Sequence, residues 1–245
     1  LYSFFGWALE TAAGTIRQKR FVNRGFTTGP FCTVYGVAAV LMTTVLQELR
    51  GSFLFLFLGC MVVGTAVEWF AGKLLERLNQ IKPVWVELGL QTIHERTARY
   101  IRRGYDLPVF ETAVSELRRR GIDVIVHTIL CLPGETKPDM LQTIQYLNRQ
   151  DIQGIKLQLL HILKDTDLAE IYASDPLPVP DPQEYYELLG ACISHLRPDI
   201  VIHRLTGDGP KELLIAPLWT CNKRQVLNQL QSYFKTHDIW QGKEY

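Results

Sequence analysis

The apolar and polar positions of this chain fall into two regimes. Residues 31–46 and 53–67 are continuous apolar runs without a charged side chain, separated by a short polar turn holding Glu48, Arg50, Gly51 and Ser52. From residue 84 the texture changes. Residues 84–92 are rich in Val, Trp and Leu with little strict alternation, the pattern of a strand covered on both faces as in a parallel sheet. Val109, Phe110, Ala113, Val114 and Leu117 recur near helical spacing, so residues 107–120 read as a helix with Gly121 just past its end. Residues 122–131 read as a second strand, stopped by Leu132, Pro133, Gly134, Glu135 and Thr136. Strand, helix and strand over so short a span predict a right-handed βαβ crossover. Further strands are expected over 155–162 and 200–205. Helices are expected over 137–148, 183–196 and 223–236, the first with Thr136 as cap. Residues 176–182 carry Pro at every second position and read as a stiff, extended connector.

The two apolar runs span 16 and 15 residues, short of the roughly 20 that cross a bilayer core unless flanking Trp69 and Phe70 are counted. Gly59 and Gly64 suit close helix contact, and basic residues flank the pair: Arg17, Lys19, Arg20 and Arg24 before it, Lys73, Arg77 and Lys82 after it. A membrane hairpin over about 31–70 therefore fits better than a buried soluble core or a signal peptide. Both flanks then fall in the cytoplasm, with membrane lipid as partner and the C-terminal domain cytoplasmic. Charge adds little: seven Lys/Arg against four Asp/Glu in residues 1–80, nineteen against twenty-one afterwards, +1 overall. That balance predicts no nucleic-acid partner. Five cysteines at 32, 60, 131, 192 and 221 are odd in number and widely spaced, so they read as reduced packing thiols.

Several of these segments carry a resemblance. Glu87 to His94, Arg103-Gly-Tyr, His127 to Thr136, Gly154-Ile-Lys156, His161 to Lys164, His203 to Asp208 and Ala216-Pro217 resemble, in that order, the central and later part of radical SAM enzymes of the YhcC/YtqA type. The resemblance covers about residues 75–245. It implies an α/β fold over 79–245, a partial radical-SAM-type (β/α) barrel with a C-terminal extension, preceded by the helical hairpin. It also implies a [4Fe-4S] cluster held by three closely spaced cysteines, and S-adenosylmethionine bound at the open iron. Thiolates are the soft donors such a cluster needs. The cysteines here are separated by 28, 71, 61 and 29 residues, so no such loop exists, and radical chemistry by this chain alone is not expected.

The resemblance places Gln91, Arg103 and His127 among polar contacts to S-adenosylmethionine. Read from the residues alone, Gln91 could equally cap a strand, Arg103 lie solvated on a helix, and His127 be a satisfied half-buried histidine. Glu87 on an apolar strand calls for a partner. Lys156, His161, His203 and Arg204, with Lys164 and Asp208, fall near strand ends as substrate-pocket candidates or as ordinary surface charge. Cys131 stands where this family has Gly, so its side chain is expected to intrude on the backbone approach to adenine.

Residues 1–78, through Gly6-Trp7, Arg17 to Phe26, Gly29-Pro30, Tyr35-Gly36 and Glu68-Trp69, resemble an ABC-transporter type IV membrane family. The two resemblances meet inside Leu74-Leu75-Glu76-Arg77-Leu78 with no linker, as in a chimeric reading frame or a fusion that has lost activity. A barrel beginning at its fourth strand would leave an edge at 84–90 open to self-association.

Overall fold

The computed structural model describes residues 40–207 and 209–245. Compactness divides the chain into two units between Lys82 and Pro83.

In the first unit, residues 40–45 are helical, a 3-10 turn covers Gln47–Gly51, and a 29-residue helix, α1, runs over Phe53–Ile81. Leu46 is buried, and the position a Cβ would take on Gly59 lies 2.8 Å from a Leu46 methyl, so glycine there lets the turn pack against the helix. No proline interrupts α1 until Pro83, which explains why one helix continues through the 74–78 phrase where the two resemblances meet. Its most apolar 18 residues have a mean hydropathy of 2.0 and none is buried, so α1 is long and apolar enough to cross a membrane. Of the other limb of the expected hairpin, residues 40–45 are helical and residues 31–39 lie outside the described residues.

The second unit is built on a four-stranded parallel sheet: β1 (Trp85–Gln91), β2 (Asp123–Leu130), β3 (Gly154–Leu159) and β5 (Val201–Arg204), in the order β1-β2-β3-β5. Each crossover carries helices: α2 (Glu95–Tyr100) and α3 (Leu107–Arg119), α4 (Lys137–Leu147), then α5 (Asp167–Ser174) and α6 (Pro182–His195). A two-stranded antiparallel piece, β4 (Ile162–Leu163) with β6 (Leu214–Ala216), and α7 (Lys223–Thr236) complete it. The expected third strand ends at Leu159, and Ile162 belongs to β4. The short α2, α5 and β6 lack the apolar periodicity that would have marked them.

The helices start where the chain supplies caps. Thr136 and Asp139 form a reciprocal capping box on α4, as do Asp181 and Glu184 on α6. One face of the sheet is apolar and covered: Val124, Val126 and Leu130 of β2 with Ile155, Leu157 and Leu159 of β3 pack against Phe110, Val114, Ile144, Leu147, Tyr185, Leu189 and Leu230. Val109, which the periodicity assigned to the stripe of α3, stays exposed. The alternate residues of the same strands form the opposite face, where Glu87, His127 and Lys156 stand.

Candidate functional site

Because β1, β2 and β3 run parallel in register, Glu87 pairs with Ile125 and His127 with Lys156, which sets three polar side chains side by side. Glu87 Oε2 accepts from Lys156 Nζ at 2.6 Å and lies 2.7 Å from His127 Nε2. His127 Nδ1 lies 3.0 Å from Gln158 Nε2. An amide N–H can only donate, so Nδ1 accepts, and the imidazole proton sits on Nε2 and donates to Glu87. The Lys156 ammonium, helped to a lesser degree by the His127 and Trp85 N–H donors, holds the Glu87 carboxyl down to about 2 against burial, the second-largest effect, which raises it. The carboxylate is therefore ionised, and the ladder reads ammonium, carboxylate, neutral imidazole, amide. Gln158 was missed in the sequence, although it stands two positions from Lys156 on the same strand and so shares its face.

Where β1 ends, the chain turns sharply. Gln91 has φ +64, and its side chain folds back over Gly89, where a Cβ would stand 2.9 Å from the Gln91 amide nitrogen. Gln91 Oε1 is buried without a hydrogen-bond partner. Arg103 is almost wholly buried and its donors are engaged. Nε donates to Tyr105 O at 2.7 Å, Nη1 to Thr92 O at 2.8 Å and Leu90 O at 3.3 Å, and Nη2 to Glu95 at 2.7 Å. Arg103 is thus a staple across the end of β1, and neither a solvated helix residue nor a free guanidinium. Its partner Glu95 also accepts from Leu107 N, tying the start of α3 to the same point.

A cavity of about 220 Å³ opens at the C-terminal ends of β2 and β3. It is lined by the segment Cys131 to Glu135 that follows β2, by Met140 of α4, Leu160 and Ile162, and by Leu177, Pro178, Val179 and Pro180 with Glu184. The walls are mainly apolar with two carboxyl groups at the edge, a composition typical of small-molecule sites. Burial raises the Glu135 carboxyl, opposed by the hydroxyl of buried Thr92, which donates to it at 2.5 Å. Cys131 has φ +62, a conformation glycine adopts freely and other residues rarely, and its backbone N–H donates to Met140 Sδ at 3.1 Å.

The remaining candidates are dispersed. His203 lies over Gly154, whose missing Cβ would stand 2.6 Å from the imidazole, and so covers Ile125 on the ladder face. Arg204 pairs with Lys156 across a register shift. His161 packs against Gly207 and Gly209, away from the ladder strands' midpoint, with Lys164 N bonded to Leu213 O. Asp208 lies outside the described residues. The structure therefore brings together Glu87, His127 and Lys156. It seats Gln91 and Arg103 at the neighbouring strand end and sets His161 in a separate loop cluster.

Donor chemistry tests the implied cofactors. Burial pushes the Cys192 thiol up to about 12, and burial with the Glu184 and Glu135 carboxylates does the same for Cys131, so both hold their protons. Among the described residues no three His, Cys, Asp or Glu side chains group to hold a metal ion. The described residues do not fit an iron–sulfur cluster. For a nucleoside the described residues offer a mainly apolar cavity and, at the end of the neighbouring β1, the unpartnered Gln91 oxygen.

Comparison with known proteins agrees with this architecture. Residues 152–236 match the Radical_SAM C-terminal domain family, and residues 1–86 match the family described as "Putative ABC-transporter type IV". YtqA of Bacillus subtilis is 40% identical over 169 residues, covering 69% of this chain and 52% of that protein. YhcC of Escherichia coli is 33% identical over 181 residues, covering 72% and 59%. The chain thus spans between half and three fifths of these relatives. The solved structure of Methanocaldococcus infernus Elp3, lacking its N-terminal residues, superposes with a TM-score of 0.58 at 15% identity, covering 69% of this chain and 40% of that one. That likeness is one of fold. The second unit is a mixed α/β fold with a parallel sheet that resembles the radical SAM superfamily.

Proposed function

We propose that residues 83–245 are the later part of a radical SAM-type barrel that binds the nucleoside part of S-adenosylmethionine and is tethered to a membrane through α1. The observation that carries this reading is a mainly apolar cavity at the C-terminal ends of β2 and β3; at the end of the neighbouring β1 stands a buried acceptor without a partner, Gln91 Oε1. In barrels of this kind ligands collect at that end. The apolar walls of Leu132, Pro133 and Pro178 suit a flat heterocycle, and Glu135, drawn towards its protonated form, suits a ring nitrogen. Arg103 is a positioning residue that holds residues 90–92 where Gln91 can reach a ligand. Glu87, His127, Lys156 and Gln158 line the adjoining sheet face as the substrate side. A bound cluster would supply the electron that cleaves the sulfonium. Among the described residues no three His, Cys, Asp or Glu side chains group to hold one, so on this reading the cluster ligands for that cleavage come from elsewhere.

The test is equilibrium binding of S-adenosylhomocysteine to the full chain in detergent. Saturable binding is expected, with loss on Met140→Trp, which places a larger side chain at a residue lining the cavity. Absence of saturable binding sinks the nucleoside reading. Anaerobic iron–sulfur reconstitution is expected to leave less than stoichiometric iron and sulfide; a full cluster with reductive cleavage overturns the outside origin of the ligands. A second reading, a membrane protein of the transporter-like family with a non-catalytic tail, draws on the match over residues 1–86 and on the exposed apolar surface of α1. It predicts membrane insertion with no nucleoside binding.

A further inference from the structure

The cavity has an unusual wall. Four of its lining residues, Leu177, Pro178, Val179 and Pro180, belong to one extended segment between α5 and α6. Proline at 176, 178, 180 and 182 fixes φ at alternate positions, so residues 175–181 behave as a stiff strap that moves as a piece and does not crumple. At its C-terminal end the strap runs into the capping box of α6, where Asp181 N donates to Glu184 Oε2 and Glu184 N to Asp181 Oδ1, both at 2.9 Å. One further hydrogen bond reaches it from a distant part of the chain: Trp219 Nε1 donates to Pro180 O at 3.1 Å. The Trp219 ring is itself fixed against Tyr185 and Tyr186 of α6, with centroids 5.7 and 6.2 Å away. The N-terminal end is held more lightly. Asp175 N bonds to Ile171 O of α5, a helix with no buried residue, and the Asp167 pair with Arg102 is largely solvent-exposed.

We propose that residues 175–181 are a hinged lid over the cavity and that the Trp219 indole is its latch, so that opening of the strap, anchored at Asp181, controls entry to the ligand site. The inference rests on the reading of the cavity as a ligand site, but the gating can be measured without any ligand. Cys131 lines the cavity together with the strap residues, whereas Cys192 is fully buried in the core and is not among the lining residues. Their alkylation rates therefore report two different openings: lid motion for Cys131 and loss of core structure for Cys192.

The experiment is time-resolved N-ethylmaleimide labelling of the full chain in detergent at pH 8, read peptide by peptide by mass spectrometry. Trp219→Phe keeps an aromatic ring against the two tyrosines and removes the N–H. It is expected to speed Cys131 labelling by roughly three- to tenfold, the factor one hydrogen bond sets on an opening equilibrium. Cys192 labelling stays unchanged. Pro178→Gly, which loosens the strap without touching the latch, is expected to act in the same direction. Unchanged Cys131 labelling in both variants overturns the lid, as does a parallel rise at Cys192, which would mean the core and not the strap had opened. Adenosine added to the wild-type chain tests the ligand separately. Protection of Cys131 supports both readings. Faster labelling in the variants without adenosine protection keeps the lid and removes the nucleoside.

Discussion

The two faces of the sheet are made by the same residues' neighbours, one position apart, and they obey different rules. On the covered face Val124, Val126, Ile155 and Leu157 are inaccessible to solvent and packed by four helices. On the opposite face Glu87, His127 and Lys156 keep partial exposure and bond to one another. A buried apolar position is held by its whole surroundings, so its shape is what matters. A polar ladder open to water gains little net stability, because each hydrogen bond replaces one with solvent. Stability therefore resides on one face, and the other is free to carry chemistry.

The largest effect that could break this comparison is expected on the covered face. Leu157→Ala removes a fully buried side chain at the centre of the sheet and should cost about 2–5 kcal/mol, read as loss of hydrogen-exchange protection in β2 and β3. The matching change on the open face, Lys156→Met, should cost less than about 1 kcal/mol. If the two costs are similar, the ladder is structural and its place in the proposed site fails.

The ladder's electrostatics sharpen the same contrast. Glu87 is held down to about 2 from an ordinary value of 4.5, chiefly by Lys156. A depressed carboxyl contributes stability that is present above the unfolded pKa and is lost as pH falls through the folded one, here between about 4.5 and 2. Glu87→Gln should therefore flatten the loss of stability across that window, matching the wild type at its acid end and falling below it at neutral pH by less than about 1 kcal/mol, since the carboxyl is more than a third exposed. In Lys156→Met the Glu87 carboxyl should titrate nearer the usual carboxylate range, visible as a shift in its carbon-13 titration. An unmoved titration would mean that His127 or Trp85, and not the ammonium, sets the value.

How much of this could be read in the sequence follows from the same division. Strands β1, β2 and β5 and helices α3, α4, α6 and α7 announced themselves because their apolar spacing repeats over several turns or a full strand. Short α2, α5 and β6 did not, since six, eight and three residues carry too little periodicity. On the open face, Glu87, His127 and Lys156 were legible singly as polar residues on strands. Their convergence needed the parallel register, which sequence spacing does not contain. Arg103 was recognisable as important, but its role was not: nothing in Arg103-Gly-Tyr foretells that its donors turn inward to the carbonyls of residues 90 and 92. Gln158, Glu95 and Thr92 were invisible for the same reason, each acting only through a partner brought near by the fold. The apolar runs were clear in composition, yet α1 runs on to Ile81 because nothing before Pro83 stops it.

The smallest expected effect lies where the two faces meet, at the top of the sheet. Glu135 is a carboxyl of opposite sense to Glu87: burial raises it, and the Thr92 hydroxyl only partly offsets this. A folded pKa above the unfolded one means the native state binds the proton more tightly, so stability falls as pH rises from the unfolded pKa through the folded one and stays reduced above it. Glu135→Gln removes the charge, while its amide oxygen can still accept from Thr92 Oγ1. The variant should match the wild type in acid and exceed it at neutral pH by no more than about 1 kcal/mol, since the group is only half buried. It should also weaken S-adenosylhomocysteine if the raised carboxyl donates to the heterocycle. A gain in stability together with weaker binding is the signature of a carboxyl kept buried for a ligand. A gain with unchanged binding would assign Glu135 to the wall of the cavity alone and leave recognition to Gln91.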